Sequence, residues 1–411
     1  MSGRPALATR HRPRRAGRLA LVGLLSGLLA SMLGACAGPT EGLGYYAQSV
    51  RGHLDLLQRA RPLAAWLADP ATPPALRQRL QLARQLRDFA VAQLALPDNA
   101  SYQSYVDLGR SAVVWNVVAA PELSLALKTW CFPVMGCVGY RGYFDRAAAD
   151  AEAQRQRDAG LEVIVYGVPA YSTLGWTNWL GGDPLLNTFV VGSESGMVRL
   201  VFHELAHQVA YASGDTTFNE SYATAVERLG LARWQAHTGR TMDDAAANQR
   251  LADFRALTLR TRQALQTVFE GDASQAVKQQ RKAELMAELR AAVQALKTTP
   301  GSPWFGFTGF DAWLDRANNA TLALQAAYDS QVADFERLFE REGRSFARFH
   351  AEVRRLAALP REQRHAALLA RPQARTDPRG EPPHGRHPHP PRPQPGPGQS
   401  PQSGLGLGRT G

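Results

Sequence analysis

Apolar residues recur at helical spacing at Leu54, Leu57, Ala64 and Leu67. They do so again at Leu76, Leu80 and Ala83, and at Leu82, Leu86 and Phe89, beyond the prolines between positions 70 and 74. This periodicity predicts an antiparallel helix pair between Tyr45 and Leu96. The pattern then changes. Val113–Val118 is β-branched and aromatic and predicts a strand, as does Leu161–Tyr166 between Gly160 and Gly167, with an Ala-rich helix over Tyr143–Asp158 between them. Across 167–189, Gly and Pro alternate with Tyr171, Trp176 and Trp179; such a loop either lines a cleft or is simply well packed. Helical spacing returns from Gly196 to Ala212, breaks at Ser213-Gly214-Asp215 and resumes near Phe218. From there to Leu359 nearly everything reads as helix, apart from a break at Thr299–Pro303. The fold class is therefore α-rich α+β, and no repeat of fixed period occurs.

Composition changes the picture mainly at the two ends. With 411 residues, 45% of them apolar, the chain can bury a core. The net charge of +11 would suggest a polyanionic partner, but it is not on the body. Residues 1–35 hold six Arg and no acid, and residues 371–411 hold six Arg against Asp377 and Glu381, which leaves about +1 between them. Charge thus gives no basis for nucleic-acid binding. Of the last 41 residues, 11 are Pro and 8 are Gly, a composition that reads as a disordered tail; His384, His387 and His389 could at most scavenge metal there.

The first 35 residues read as a signal peptide. A basic start is followed by the apolar run Leu19–Leu33 and by Leu33-Gly34-Ala35-Cys36, which resembles a bacterial lipobox. That resemblance implies lipidation of Cys36 and, because Ala37 is not acidic, anchoring at the periplasmic face of the outer membrane. The competing reading is an uncleaved single-pass anchor. Residues 36–44 are then a short linker. A single domain follows over 45–370, with a helical part at 45–105, a mixed metal-binding part at 106–235 and a helical part at 236–370. In an oxidising compartment Cys131 and Cys137 read as a disulfide closing a small loop, against the alternative of two free thiols.

The stretch that carries chemistry is Val201-Phe202-His203-Glu204-Leu205-Ala206-His207-Gln208. Two His four apart share one helical face and can reach one ion, while Glu204 can take a proton from a water on that ion. Val198, Val201, Phe202, Leu205 and Val209 make the helix a buried one, so its polar groups need a partner. An open catalytic zinc site needs a third protein ligand. Glu220 lies in the first turns of the next helix, separated from His207 by twelve residues, behind a cap from Asp215 or Thr216. The bland alternatives are two His satisfied in a core, or a closed structural zinc site, which would ordinarily use four Cys or His.

His-Glu-Leu-Ala-His-Gln, followed by Asn-Glu-Ser-Tyr-Ala-Thr-Ala-Val-Glu at 219–227, resembles the gluzincin metallopeptidases. Together with the lipobox and the Cys-Val-Gly-Tyr-Arg-Gly-Tyr-Phe stretch at 137–144, the chain looks most like the bacterial predicted zinc aminopeptidase lipoproteins over about residues 36–370. The resemblance implies a zincin-like core with two antiparallel metal-bearing helices, a small β element and flanking helices. It makes His203, His207 and Glu220 the ligands of one Zn2+, Glu204 the general base, and Glu227 a hydrogen-bond partner of a ligand His. It implies hydrolysis of peptide substrates, with endopeptidase activity or an inactive scaffold as the other readings. Enzymes of this class also use a Tyr or His to stabilise the oxyanion, for which Tyr328 and Tyr171 are the candidates. Two features depart from the pattern. The gap of twelve is short, so the first helix must end by about Ser213, and the Gly-Ala-Met-Glu-Asn motif that binds the substrate amine is absent.

Overall fold

The structure is a computed structural model that describes residues 39–132, 136–170, 173, 181–242 and 245–370. Cys36 with the segment before it, Tyr171, and the chain beyond Ala370 lie outside the described residues. Helix α1 (Pro39–Arg59) begins within the stretch read as a linker. The expected helix pair contains an extra piece: strand β1 (Arg61–Pro62) and the short helix α2 (Leu63–Ala68) precede α3 (Pro74–Leu94). Pro73 at the cap position and Pro74 at the first helical position explain that start, since neither needs a helical N–H partner.

The strands are few and short. Strand β2 (Ser104–Val106) pairs with β1 antiparallel and with β8 (Leu185–Leu186) parallel. The longest pair, β3 (Val114–Pro121) with β7 (Leu161–Val168), is antiparallel, and β6 (Arg141–Tyr143) flanks β3 on its other edge. Strands β4 (Trp130–Phe132) and β5 (Gly136–Val138) form a separate two-stranded hairpin. Helix α4 (Arg146–Asp158) packs on β3 and β7 through Ala149 and Ala153, so small side chains let helix and sheet approach closely.

After α5 (Asn187–Val190), helices α6 (Glu194–His207) and α7 (Thr216–Thr238) form the centre of the main core. Val198, Val201, Phe202 and Leu205 of α6 meet Phe218, Tyr222 and Val226 of α7, with Leu86, Phe89 and Leu94 of α3 behind them. Gly230 permits this approach: a Cβ there would stand 2.6 Å from the Phe202 ring. Helices α8 (Ala245–Glu270) and α9 (Gln275–Thr298) form a hairpin beyond. It is followed by α10 (Asp311–Asp315), α11 (Asn319–Asp329), α12 (Val332–Arg341), α13 (Phe346–Ala357) and α14 (Arg361–Leu369). The architecture is an α-rich α+β fold.

Two buried polar hubs tie the helical C-terminal part to the rest. Asn319, fully buried, donates from Nδ2 to the carbonyls of Pro121 (3.0 Å), Glu122 (2.7 Å) and Ser124 (3.1 Å), while its backbone N–H donates to Glu162 (2.8 Å). Asp215 is the second hub. It caps α7 by accepting from the Phe218 N–H at 3.2 Å and pairs with Arg364 Nη1 (2.6 Å) and His365 Nε2 (2.8 Å) of α14. The Asp215 and Arg364 side chains are only 1% and 7% exposed, so removing one leaves a buried charge short of its main partner. Arg364→Met is expected to lower unfolding stability by about 3 kcal/mol in urea titrations. A change below about 0.5 kcal/mol would show that His365 alone satisfies Asp215.

Candidate active site

Helix α6 is buried along Met197, Val198, Val201, Phe202, Leu205 and Ala206, which fixes its rotation. That rotation turns His203 and His207, one helical turn apart, toward α7. Helix α6 stops at His207, five residues short of the expected Ala212, and this early stop makes the short gap workable. Asn219 closes the connection from the other side. Its Oδ1 accepts from the Ala212 N–H (2.8 Å) and its Nδ2 donates to the Ala212 carbonyl (2.9 Å), with Gly214 turning at φ 75°. Glu220, the next residue, is thereby delivered to the two imidazoles.

The donor atoms converge. His203 Nε2 lies 3.2 Å from His207 Nε2 and 3.2 Å from Glu220 Oε2, and His207 Nε2 lies 3.7 Å from the same oxygen. Among the described residues this trio is the group of His, Cys, Asp and Glu that could hold a metal ion. Glu227, two turns along α7 from Glu220, sits 3.2 Å from His203 Nδ1 and 3.4 Å from Arg199 Nη1. A proton on Nδ1 donated to Glu227 leaves the Nε2 lone pair directed at the trio. Two imidazole nitrogens and a carboxylate oxygen facing one another repel unless a cation or proton sits among them, so the donor set suits a metal ion.

The electrostatics agree. Burial works against charge on His203, but Glu220 and Glu227 outweigh it and hold its pKa well above the usual imidazole value. Burial with little compensation takes His207 down to about 4. For Glu220 burial raises the pKa, yet His207 and His203 prevail and keep it below the ordinary carboxylate value. Glu204 does not join the trio. Burial pushes it up to about 7 against the charge of His203, with Glu220, Asp183 and Glu227 adding to the rise. A carboxyl poised there can both accept and return a proton near neutrality.

Sequence reasoning missed several residues. Gln208 is gripped by Asn99 Nδ2 (2.7 Å) and Ser101 Oγ (3.1 Å), which anchors the end of α6. Asp183, also bound to this loop through Ser101, brings a further carboxylate near Glu204. Tyr140 is near enough to Glu220 and Glu204 to feel their charge; burial first, then Glu220, Tyr211, Tyr166 and Glu204, raise its pKa well above the usual value. Tyr211 is pushed up to about 12 by burial and Glu220. Tyr140 stands inside the 137–144 stretch, but nothing in its spacing marks it. Of the two tyrosines considered from sequence, Tyr328 is on α11 with its side chain outside the described residues, and Tyr171 is outside them altogether.

Cys131 and Cys137 are joined in a disulfide across β4 and β5, where they are directly opposed partners with Cα atoms 3.8 Å apart. Among the described residues no helix is long and apolar enough to cross a membrane.

These features are those of a peptidase-like protein. The chain belongs to the family described as "Putative aminopeptidase", whose model matches residues 44–368 and so takes in the whole site. No curated protein and no solved structure matches it.

Glu220 and Glu227 favour the charged form of His203, which must give up a proton for Nε2 to ligate a metal ion, so metal affinity is expected to rise with pH. Chelator competition at pH 6 and pH 7 should show binding weaker by about tenfold at the lower pH for one proton released. A pH-independent affinity would contradict the protonated trio.

Proposed function

We propose that this protein is a zinc-dependent aminopeptidase in which His203, His207 and Glu220 hold the ion and Glu204 is the general base. The observation that carries the reading is the convergence of three donor atoms beside a buried carboxyl that is not one of them. Zinc, when bound, supplies Lewis acidity that lowers the pKa of a water and polarises a scissile carbonyl. Glu204 takes a proton from the attacking water and returns it to the leaving amine nitrogen. Glu227 keeps the His203 ring oriented through Nδ1. Tyr140 is assigned as donor to the developing oxyanion: its raised pKa keeps the hydroxyl protonated, and a protonated hydroxyl can donate. The ligand set supports an open catalytic site over a closed structural one, because it has three protein donors and none is Cys. We also propose that Cys36 is lipidated after signal-peptide removal and that the enzyme works at the periplasmic face of the outer membrane.

Glu204→Gln keeps the shape and removes the proton acceptor. Zinc content should persist while turnover of aminoacyl amides falls by at least about a hundredfold. Glu220→Gln should instead weaken zinc retention, measured by metal analysis after dialysis. An unchanged peptidase rate in Glu204→Gln would remove the general-base assignment, and metal loss in Glu227→Gln but not in Glu220→Gln would move the third ligand.

Tyr140→Phe tests the oxyanion donor separately. It should lower kcat by about ten- to a thousandfold with little change in KM, since the hydrogen bond forms only as charge develops. A change confined to KM would assign Tyr140 to ground-state binding.

A further inference from the structure

Among the described residues, β4 and β5 form a two-stranded sheet, a unit that is marginal on its own in water. Gly136, the first residue of β5, nevertheless lies close against the turn that joins α6 and α7. A Cβ on Gly136 would lie 2.5 Å from Ser213 Oγ and 2.7 Å from the Gly214 nitrogen, and one on Gly214 would lie 3.9 Å from the Cys137 nitrogen. Both glycines are left-handed, with φ of 73° and 75°. Only a residue without Cβ fits at Gly136, because the conformation and the contact both exclude a side chain. The turn it touches lies between Ala212, held by Asn219, and Asp215, which caps α7. The place of Ser213–Gly214 thus helps set how closely Glu220 returns to His207.

We propose that the Cys131–Cys137 hairpin is a positioning element of the metal centre. The crosslink keeps a weak hairpin formed, the hairpin holds Gly136 against Ser213–Gly214, and that contact fixes the spacing of the ligand helices. Strand β5 ends two residues before Tyr140, so the same crosslink also bears on where that tyrosine stands. Neither Cys131 nor Cys137 belongs to the donor trio; they act through the turn. The effect on metal rests on the zinc reading above, while the effect on the turn does not.

The test uses the full chain with four changes: Cys131→Ser with Cys137→Ser, Gly136→Ala, Gly136→Ala combined with Ser213→Ala, and Gly160→Ala. Gly160 is also left-handed, at φ 79°, but has open space where a Cβ would go, so it reports general backbone strain. Zinc affinity is read by chelator competition, and hydrogen exchange is read across residues 208–215. The cysteine variant and Gly136→Ala should each weaken zinc binding by about ten- to a hundredfold, the range for loss of a group that orients ligands. Both should speed exchange across 208–215. Ser213→Ala should restore part of the loss in Gly136→Ala, and Gly160→Ala should change neither reading. Wild-type exchange and zinc affinity in both hairpin variants would overturn the proposal, as would an equal effect from Gly160→Ala. If the wild-type chain binds no zinc, the metal reading fails by itself and the exchange measurement alone decides the role of the hairpin.

Discussion

Glu220 has to return to the imidazole pair after only twelve intervening residues, and the site depends on how the chain achieves this. A helix continuing to Ala212 would carry the turn too far along its axis, at 1.5 Å per residue. The chain ends α6 at His207 instead, turns at Gly214, and clamps Ala212 with both ends of the Asn219 amide. Asp215 then starts α7 while holding Arg364 and His365 of the last helix. The C-terminal helix is therefore part of the frame that aims Glu220, although it is far from the ligands in sequence.

Burial sets the second constraint. Glu204, Glu220 and Glu227 lie with two histidines in a region where charge is poorly solvated, and each unpaired group there is costly. The structure pairs what it can: Glu227 serves His203 and Arg199, and Glu220 faces both rings. Glu204 is left with its pKa near 7, the one carboxyl whose environment favours the neutral form. Opposite shifts on Glu204 and Glu220 set the two carboxyls apart, one favoured neutral and the other favoured charged, which is the division of labour the proposed mechanism uses.

Much of this was legible in the sequence because it rests on local spacing. The i, i+4 histidines, the apolar stripe behind them and a cap at Asp215 or Thr216, which the structure places on Asp215, follow from helix geometry and were read from residues within a few turns. The two strands were legible from the β-branched runs Val113–Val118 and Leu161–Tyr166, while their antiparallel pairing and full length came from the structure. What was not legible depends on contacts between distant segments. Helical propensity in 208–212 predicted continuation, whereas Gln208 is held by Asn99 and Ser101 and Ala212 by Asn219, contacts that come from other segments. Helix α1 starts at Pro39, inside the stretch read as a linker, and a proline suits a first helical turn. Tyr140 could not be singled out from Tyr171 and Tyr328, since its nearness to Glu220 and Glu204 comes from the fold and not from periodicity.

The central claim is that one zinc ion is bound by two imidazoles and one carboxylate with a position left open. X-ray absorption at the zinc edge on the purified full chain tests it most directly. The account predicts two imidazole nitrogens at about 2.0–2.1 Å, the remaining ligands oxygen, and no sulfur. Loss of one oxygen-side ligand in Glu220→Gln, with the imidazole signal retained, would complete the assignment. A spectrum with sulfur ligands, with a closed set of four nitrogen or sulfur donors, or with no zinc in the chain would contradict it.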